Sequence, residues 1–287
     1  MLKVLVVIPH YYRLKNKNQL SHSSHSGINI QARKSIVTEC INSYKSIFEE
    51  LEIDGQIILI GDVKNSILPL DVDFSESLEN CLHLPWKAID YAALLGSSFD
   101  YIIISEDDIS PRIQTIKELI EIESLVDNSI LVIPNRIEIF LNYPFCVDLL
   151  GSYRWKSKSK KILGGNYRKP LNTHSGFVLL SFEKFEVAYR NRKYNLPTKI
   201  GELGYLESAL ANLISSFEIY RKIPINSSLE IIHLDGWLDK QINDGKLSYD
   251  RACMLVNDSN EEGKNFFIFI FKKFIERIYY KMTHRKS

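Results

Sequence analysis

Residues 101–108 read YIIISEDD, an apolar run that breaks off into Glu106, Asp107 and Asp108. A stretch this short, β-branched and apolar at consecutive positions is the pattern of a strand covered on both faces. The three adjacent carboxylates at its end repel one another and are costly to bury unless something positive shares their surroundings. A strand ending in such a turn predicts a parallel sheet with a ligand at its edge.

Two earlier runs, Val4 to Ile8 and Gln56 to Ile60, have the same character. Between them, residues 31–51 carry Ile36, Val37, Cys40, Ile41, Tyr44, Ile47 and Phe48 at spacings of three and four, one stripe of a helix. Residues 85–96 repeat that periodicity more briefly, with Pro85 suited to a first helical turn and Gly96 to its end. The βαβαβ order predicts an α/β, Rossmann-like sheet, mostly parallel and flanked by helices. Such sheets bind ligands beyond the carboxyl ends of their strands, so the residues after each run are candidates. They are Pro9, His10, Tyr11, Tyr12 and Arg13, then Gly61 and Asp62, then the acidic triplet. A fourth run, Ile130 to Ile133, ends in Pro134, Asn135 and Arg136. Oxygen ligands on a short acidic turn suit Mg²⁺ or Mn²⁺ completed by water and substrate phosphates; a solvated acidic loop is the plainer alternative.

Further along, residues 151–170 are rich in Lys, Arg, Ser and Gly and read as a mobile loop acting as a lid. Phe177 to Leu180 reads as a strand, Glu183 to Asn191 as a helix, and Gly204 to Ser215 as a helix with Glu207 in its first turn. Ile231 to Leu234 is a late strand containing His233. No internal repeat is present.

At 287 residues and 45% hydrophobic content the chain can bury one large α/β core or two small ones. Lys and Arg total 36 against 35 Asp and Glu, a balance that excludes a strongly basic nucleic-acid binder. Four cysteines stand far apart with no CxxC pair, which points to reduced thiols in a cytoplasmic protein rather than a zinc site or disulfide framework. Leu2 to Ile8 is too short for a secretory segment, and no apolar run approaches the ~20 residues of a membrane span, so an integral membrane protein is not expected.

The succession of VVIP at residues 6–9, IILIGD at 57–62, KAIDYAALLGSSFDY at 87–101 and IIISEDD at 102–108 resembles the GT-A glycosyltransferases, especially their family-2-like group. In that fold a short acidic "DXD" turn ends a central strand and holds the metal of a nucleoside-diphosphate sugar. The resemblance covers about the first 240 residues and is looser after Ser110. It implies that Glu106 and Asp108 occupy the outer motif positions, with Glu standing where the family has Asp, and that Asp107 and Lys87 belong to the donor-binding set. It implies a nucleotide pocket lined by Pro9, His10 and Tyr11, with Asp62 accepting a hydrogen bond from the base. A helix cap or turn remains the other reading of Asp62, and a surface residue that of His10.

Thr173 to Phe177 is similar to the segment where small residues let the backbone approach the donor sugar, with Gly176 the candidate; an ordinary turn before a strand is the alternative. Glu207, with Glu202 in reserve, resembles the catalytic base of inverting members, although a carboxylate in a first helical turn also answers the helix dipole. His233 resembles a late histidine that completes the metal shell, while a lone histidine on an apolar strand is also a common core residue.

The resemblance thus implies a metal-dependent, inverting transfer from a nucleotide sugar, UDP-sugar first, to a hydroxyl of a glycan or lipid-linked acceptor in surface polysaccharide or glycoconjugate synthesis. A catalytically silent carbohydrate-binding or scaffold protein and a metal-dependent nucleotidyltransferase are the alternatives.

The expected domain spans residues 1–262, followed by a basic amphipathic helix over 263–287. From Lys264 onward seven basic residues face one Glu, about +6, which leaves about −5 on the rest of a chain whose total is +1. On a helix, Phe267, Phe271, Phe274 and Ile278 form one stripe with Lys272, Lys273, Arg277 and Lys281 toward the polar side. That pattern suits an anionic membrane surface; a helix packed on the body or at a homo-oligomer interface is the alternative.

Overall fold

The structure is a computed structural model and describes residues 1–10, 30–61, 72–77, 84–140, 143–146, 159–162, 164–170, 176–192, 206–223 and 229–233. Its central sheet grows from the run at the N-terminus. Strand β1 (Lys3–His10) pairs in parallel with β2 (Asp54–Gly61) on one side and with β4 (Tyr101–Ser105) on the other. Beyond β2 lies β3 (Phe74–Ser77), also parallel, and beyond β4 lies β11 (Phe177–Ser181), which runs antiparallel. The order is β11-β4-β1-β2-β3. The molecule is therefore an α/β fold of Rossmann-like type with a mostly parallel central sheet.

Why the strands carry consecutive apolar residues is visible in how their side chains divide. Val4, Val6 and Ile8 go to one core with Ile57, Leu59 and Ile103, while Leu5 and Val7 go to the other with Ile58, Ile60, Ile102 and Ile104. Alternate residues point to opposite faces, and here both faces are covered. Helix α1 (Ile30–Glu50) closes the first face with Val37, Cys40, Ile41, Tyr44 and Ile47, all buried. Helix α2 (Leu84–Leu95) closes the second with Trp86, Ala88, Ile89 and Ala92. Each Val, Leu or Ile side chain taken from water contributes about 1.5–3 kcal/mol before the entropy of ordering is counted.

Among the described residues two further sheets are present. The first comprises, in order across the sheet, β6 (Ile130–Val132), β12 (Glu218–Ile223), β10 (Gly165–Arg168) and β9 (Ser159–Ile162). The second comprises, in the same sense, β5 (Ile109–Pro111), β13 (Glu230–His233), β7 (Asn135–Phe140) and β8 (Tyr143–Cys146).

The hairpin of β9 and β10 corrects the expectation of an irregular lid over the whole of residues 151–170. Residues 159–162 and 165–168 pair antiparallel, and β10 pairs again with β12. Ile162 and Tyr167 are buried in the first core, and Gly164, at φ +79°, supplies the left-handed turn between the strands. The basic composition masked a period-two pattern.

Helix α3 (Ile113–Leu125) and helix α4 (Phe182–Asn191) are joined through a buried ion pair. Lys184 Nζ lies 3.0 Å from Glu123 Oε2 and also donates to the Ile130 carbonyl at 3.0 Å. Ser181, the N-cap of α4, donates its backbone N–H and its hydroxyl to Glu123 Oε1 at 3.1 and 3.3 Å. Burial pushes the Glu123 carboxyl above its ordinary range, opposed by Lys184 and Ser181. Helix α5 (Leu206–Leu213) completes the second face through Leu206, Ala209, Leu210 and Leu213. Among the described residues no helix is long and apolar enough to cross a membrane.

Candidate active site

The chain builds β1, then β2 and β3 outward on one side, and returns to lay β4 on the other side of β1. Strand order thus reverses between β1 and β4, the place where open α/β sheets bind ligands beyond their carboxyl ends. His10 ends β1, Gly61 ends β2, and Glu106, Asp107 and Asp108 follow β4, so these residues share that edge. Asp107 and Asp108 are buried, and the Glu106 side chain keeps 20% of its surface exposed.

The turn is fixed from several directions. The Glu106 N–H donates to the Gly176 carbonyl at 2.8 Å, tying the turn to the start of β11. The Glu106 carbonyl accepts from the Ser105 hydroxyl at 3.1 Å, from the Ile109 N–H at 3.4 Å and from the Cys40 thiol at 3.7 Å. Under it, Tyr44 of α1 is fully buried, and burial, with Cys40 nearby, pushes its phenol well above the usual range against a smaller pull from Ser105.

The three carboxylates have different surroundings. Asp107 Oδ2 lies 2.7 Å from His10 Nδ1, both side chains buried, so the middle residue joins the ends of β1 and β4. An ionised carboxylate only accepts, so the His10 ring donates in this bond. Glu106 Oε2 lies 3.9 Å from the Arg136 guanidinium. Arg136 reaches the turn because the segment before it is held down. The fully buried Arg221 of β12 donates to the Pro134 carbonyl at 3.0 Å, and the Asn135 amide donates to the Lys222 carbonyl at 3.2 Å. The positive charge that the triplet calls for is thus partly the chain's own.

Glycines allow two close approaches. Gly61, at φ +143°, lies opposite His10, and a Cβ there would stand 2.2 Å from the His10 carbonyl oxygen and 2.9 Å from Leu84 at the start of α2. Gly176, at φ +63°, has the Glu106 carboxylate over it: a Cβ would stand 2.3 Å from Oε2. The close neighbour that Gly176 admits in this structure is a side chain of the protein itself.

Of the other residues singled out from sequence, Pro9 is buried at the end of β1, and Lys87 is exposed on α2. The His233 backbone pairs with Ile109, the residue following the triplet, and with Glu138. Glu207 is the second residue of α5. Tyr11, Asp62, Glu202 and the tail at 263–287 lie outside the described residues. Among the described residues no group of three His, Cys, Asp or Glu comes together to hold a metal ion. Sequence reasoning placed Arg136 after a strand without giving it a role. It passed over Arg221 and Cys40 as site residues because neither stands near the triplet in the chain.

The sequence matches no known protein family and no curated protein. Among solved structures, the crystal structure of UDP-glucose pyrophosphorylase complexed with UDP-glucose is similar at 11% identity. The likeness covers 77% of this chain and 90% of that one, with a TM-score of 0.40. An overlap that slight says nothing of what this chain does.

Proposed function

We propose that this chain is a glycosyltransferase of the GT-A type, moving a sugar from a nucleoside-diphosphate sugar, UDP-sugar first, to a hydroxyl of a glycan or lipid-linked acceptor. The observation that carries the reading is the buried acidic turn after β4, at the point beside β1 where strand order reverses. A fold tolerates carboxylates there at a cost that a functional ligand offsets.

Oxygen donors on a short acidic turn suit a divalent cation of the kind held by one or two carboxylates and completed by substrate phosphates, and the burial of Asp108 beside the partly exposed Glu106 supports that reading. Asp108 and Glu106 would hold Mn²⁺ or Mg²⁺, with His233, whose backbone pairs with Ile109, as the further proposed ligand. When bound, the ion supplies neutralisation of the charge that develops on the departing diphosphate. The other tasks belong to the chain. Asp107, through His10, holds the turn against β1 and thereby orients its neighbours. Arg136 adds a fixed positive charge beside Glu106. Glu207 is the proposed general base that takes the proton of the attacking hydroxyl, and a base opposite the leaving group gives inversion. Pro9, His10, Tyr11, Asp62, Lys87, Asp107 and Gly176 remain the proposed donor-binding set.

The test is product analysis. Incubation with a UDP-sugar, Mn²⁺ and a panel of hydroxyl acceptors should release UDP and a glycosylated acceptor. Formation of UTP that requires pyrophosphate would replace this reading by a nucleotidyltransferase. No product with any metal would leave a scaffold. The tail at 263–287 is proposed to dock on an anionic cytoplasmic membrane face, where lipid-linked acceptors are presented, on the strength of its sequence pattern. Truncation before Lys264 should abolish sedimentation with phosphatidylserine-containing liposomes; unchanged sedimentation would remove that proposal.

A further inference from the structure

Oxygen Oε2 of Glu106 lies close to two groups from distant parts of the chain: Gly176, the residue before β11, and Arg136 at the start of β7. On the Gly176 side the fit is tight, since a Cβ would stand 2.3 Å from Oε2, 2.6 Å from Cδ and 3.0 Å from Ile109 Cδ1. The Glu106 backbone is itself fixed through the Gly176 carbonyl. With the main chain held and one side of the carboxylate walled by backbone, the side chain lies over the bare Cα of Gly176, where its end stands 3.9 Å from the guanidinium.

We propose that Gly176 is a positioning residue matched to Glu106: its missing side chain is the space that lets a glutamate serve in this motif position and keeps its carboxylate at Arg136. The proposal rests on the reading that Glu106 faces the donor and its cation. An aspartate is one methylene shorter and does not need that space. A methyl group at Gly176 displaces the end of a flexible side chain, so the site loses its geometry while the fold loses little beyond the left-handed conformation at that position.

A double-mutant cycle over Gly176→Ala and Glu106→Asp tests this, with Mn²⁺ affinity read from the loss of the free-ion electron paramagnetic resonance signal. Gly176→Ala is expected to weaken Mn²⁺ binding by at least ~10-fold when Glu106 is present and by less than ~3-fold in the Glu106→Asp background. Equal losses in both backgrounds, or none in either, would overturn the match. Crystal structures of the parent and of Gly176→Ala give a readout that needs no metal. Displacement of Oε2 by more than ~1 Å supports the match, and an unmoved carboxylate beside the new methyl overturns it. A parent protein that takes up no Mn²⁺ would remove the metal reading above, and the crystallographic comparison would still decide the role of Gly176.

Discussion

Around Glu123 the chain brings a lysine ammonium to 3.0 Å, a backbone N–H to 3.1 Å and a hydroxyl to 3.3 Å, leaving the side chain 3% exposed. Around Glu106 it brings the Arg136 guanidinium to 3.9 Å and leaves the side chain 20% exposed. Both glutamates have a cation beside them. The first is closed by short charge-assisted hydrogen bonds within the fold, and the second stands at a sheet edge within reach of a ligand. Distance and exposure separate a carboxylate that holds helices together from the one proposed to meet substrate. Local acidity in the sequence does not.

The sharpest way to break this contrast is to remove the cation on the closed side. Lys184→Met leaves Glu123 buried without its ammonium and should cost about 3–5 kcal/mol in urea unfolding at pH 7. The folded-state pKa of Glu123 is already raised, and losing Lys184, which lowers it, raises it further. A carboxyl raised on folding contributes stability present below its unfolded pKa and lost as pH rises through its folded value. The deficit of the variant should therefore shrink between pH 7 and pH 5. A deficit independent of pH would show that Glu123 is not the group left exposed to the penalty.

On the open side the same logic predicts loss of function without loss of fold. Asp108→Asn should slow metal-dependent donor turnover by about 10²–10³-fold, the loss expected from weakened charge neutralisation, while the urea midpoint stays near the parent's. A large drop in stability with intact turnover would invert the assignment of the two regions. A Glu207→Gln protein should still bind donor nucleotide and turn it over about 100-fold more slowly. Equal turnover would take the base role from Glu207. His10→Phe removes the bond between the ends of β1 and β4 and leaves the Asp107 carboxylate without it. It should cost about 1–3 kcal/mol in stability, measured by urea unfolding at pH 7, and an unchanged midpoint would mean the bond fixes nothing.

Much of the central sheet was legible because its strands obey one rule. Val4 to Ile8, Ile57 to Ile60 and Ile102 to Ile104 are apolar at consecutive positions since alternate side chains feed two cores, and the stripe on α1 faces one of them. What escaped was the part of the molecule where strands are short or polar. EIYRKI in β12 carries the fully buried Arg221, and SKKI in β9 carries two lysines, so neither looks like a strand until its partners are known. Propensity is overridden there by pairing with β6 and β10. The position of the acidic turn could be read from sequence, because the turn interrupts an apolar run. Its partners could not. His10 and Asp107 are 97 residues apart, and the approach of Arg136 and Gly176 to one oxygen depends on three strands meeting.

The central claim is that the edge beyond β1 and β4 receives a nucleotide sugar through the acidic turn. A thermal-shift panel of UDP-, GDP-, CMP- and dTDP-sugars, with and without Mn²⁺, on the parent and Asp108→Asn tests it most directly, because a ligand of the native state raises its stability. One donor should raise the melting temperature of the parent only when Mn²⁺ is present, and Asp108→Asn should lose that rise. No rise with any donor, or an equal rise in the variant, would contradict the account.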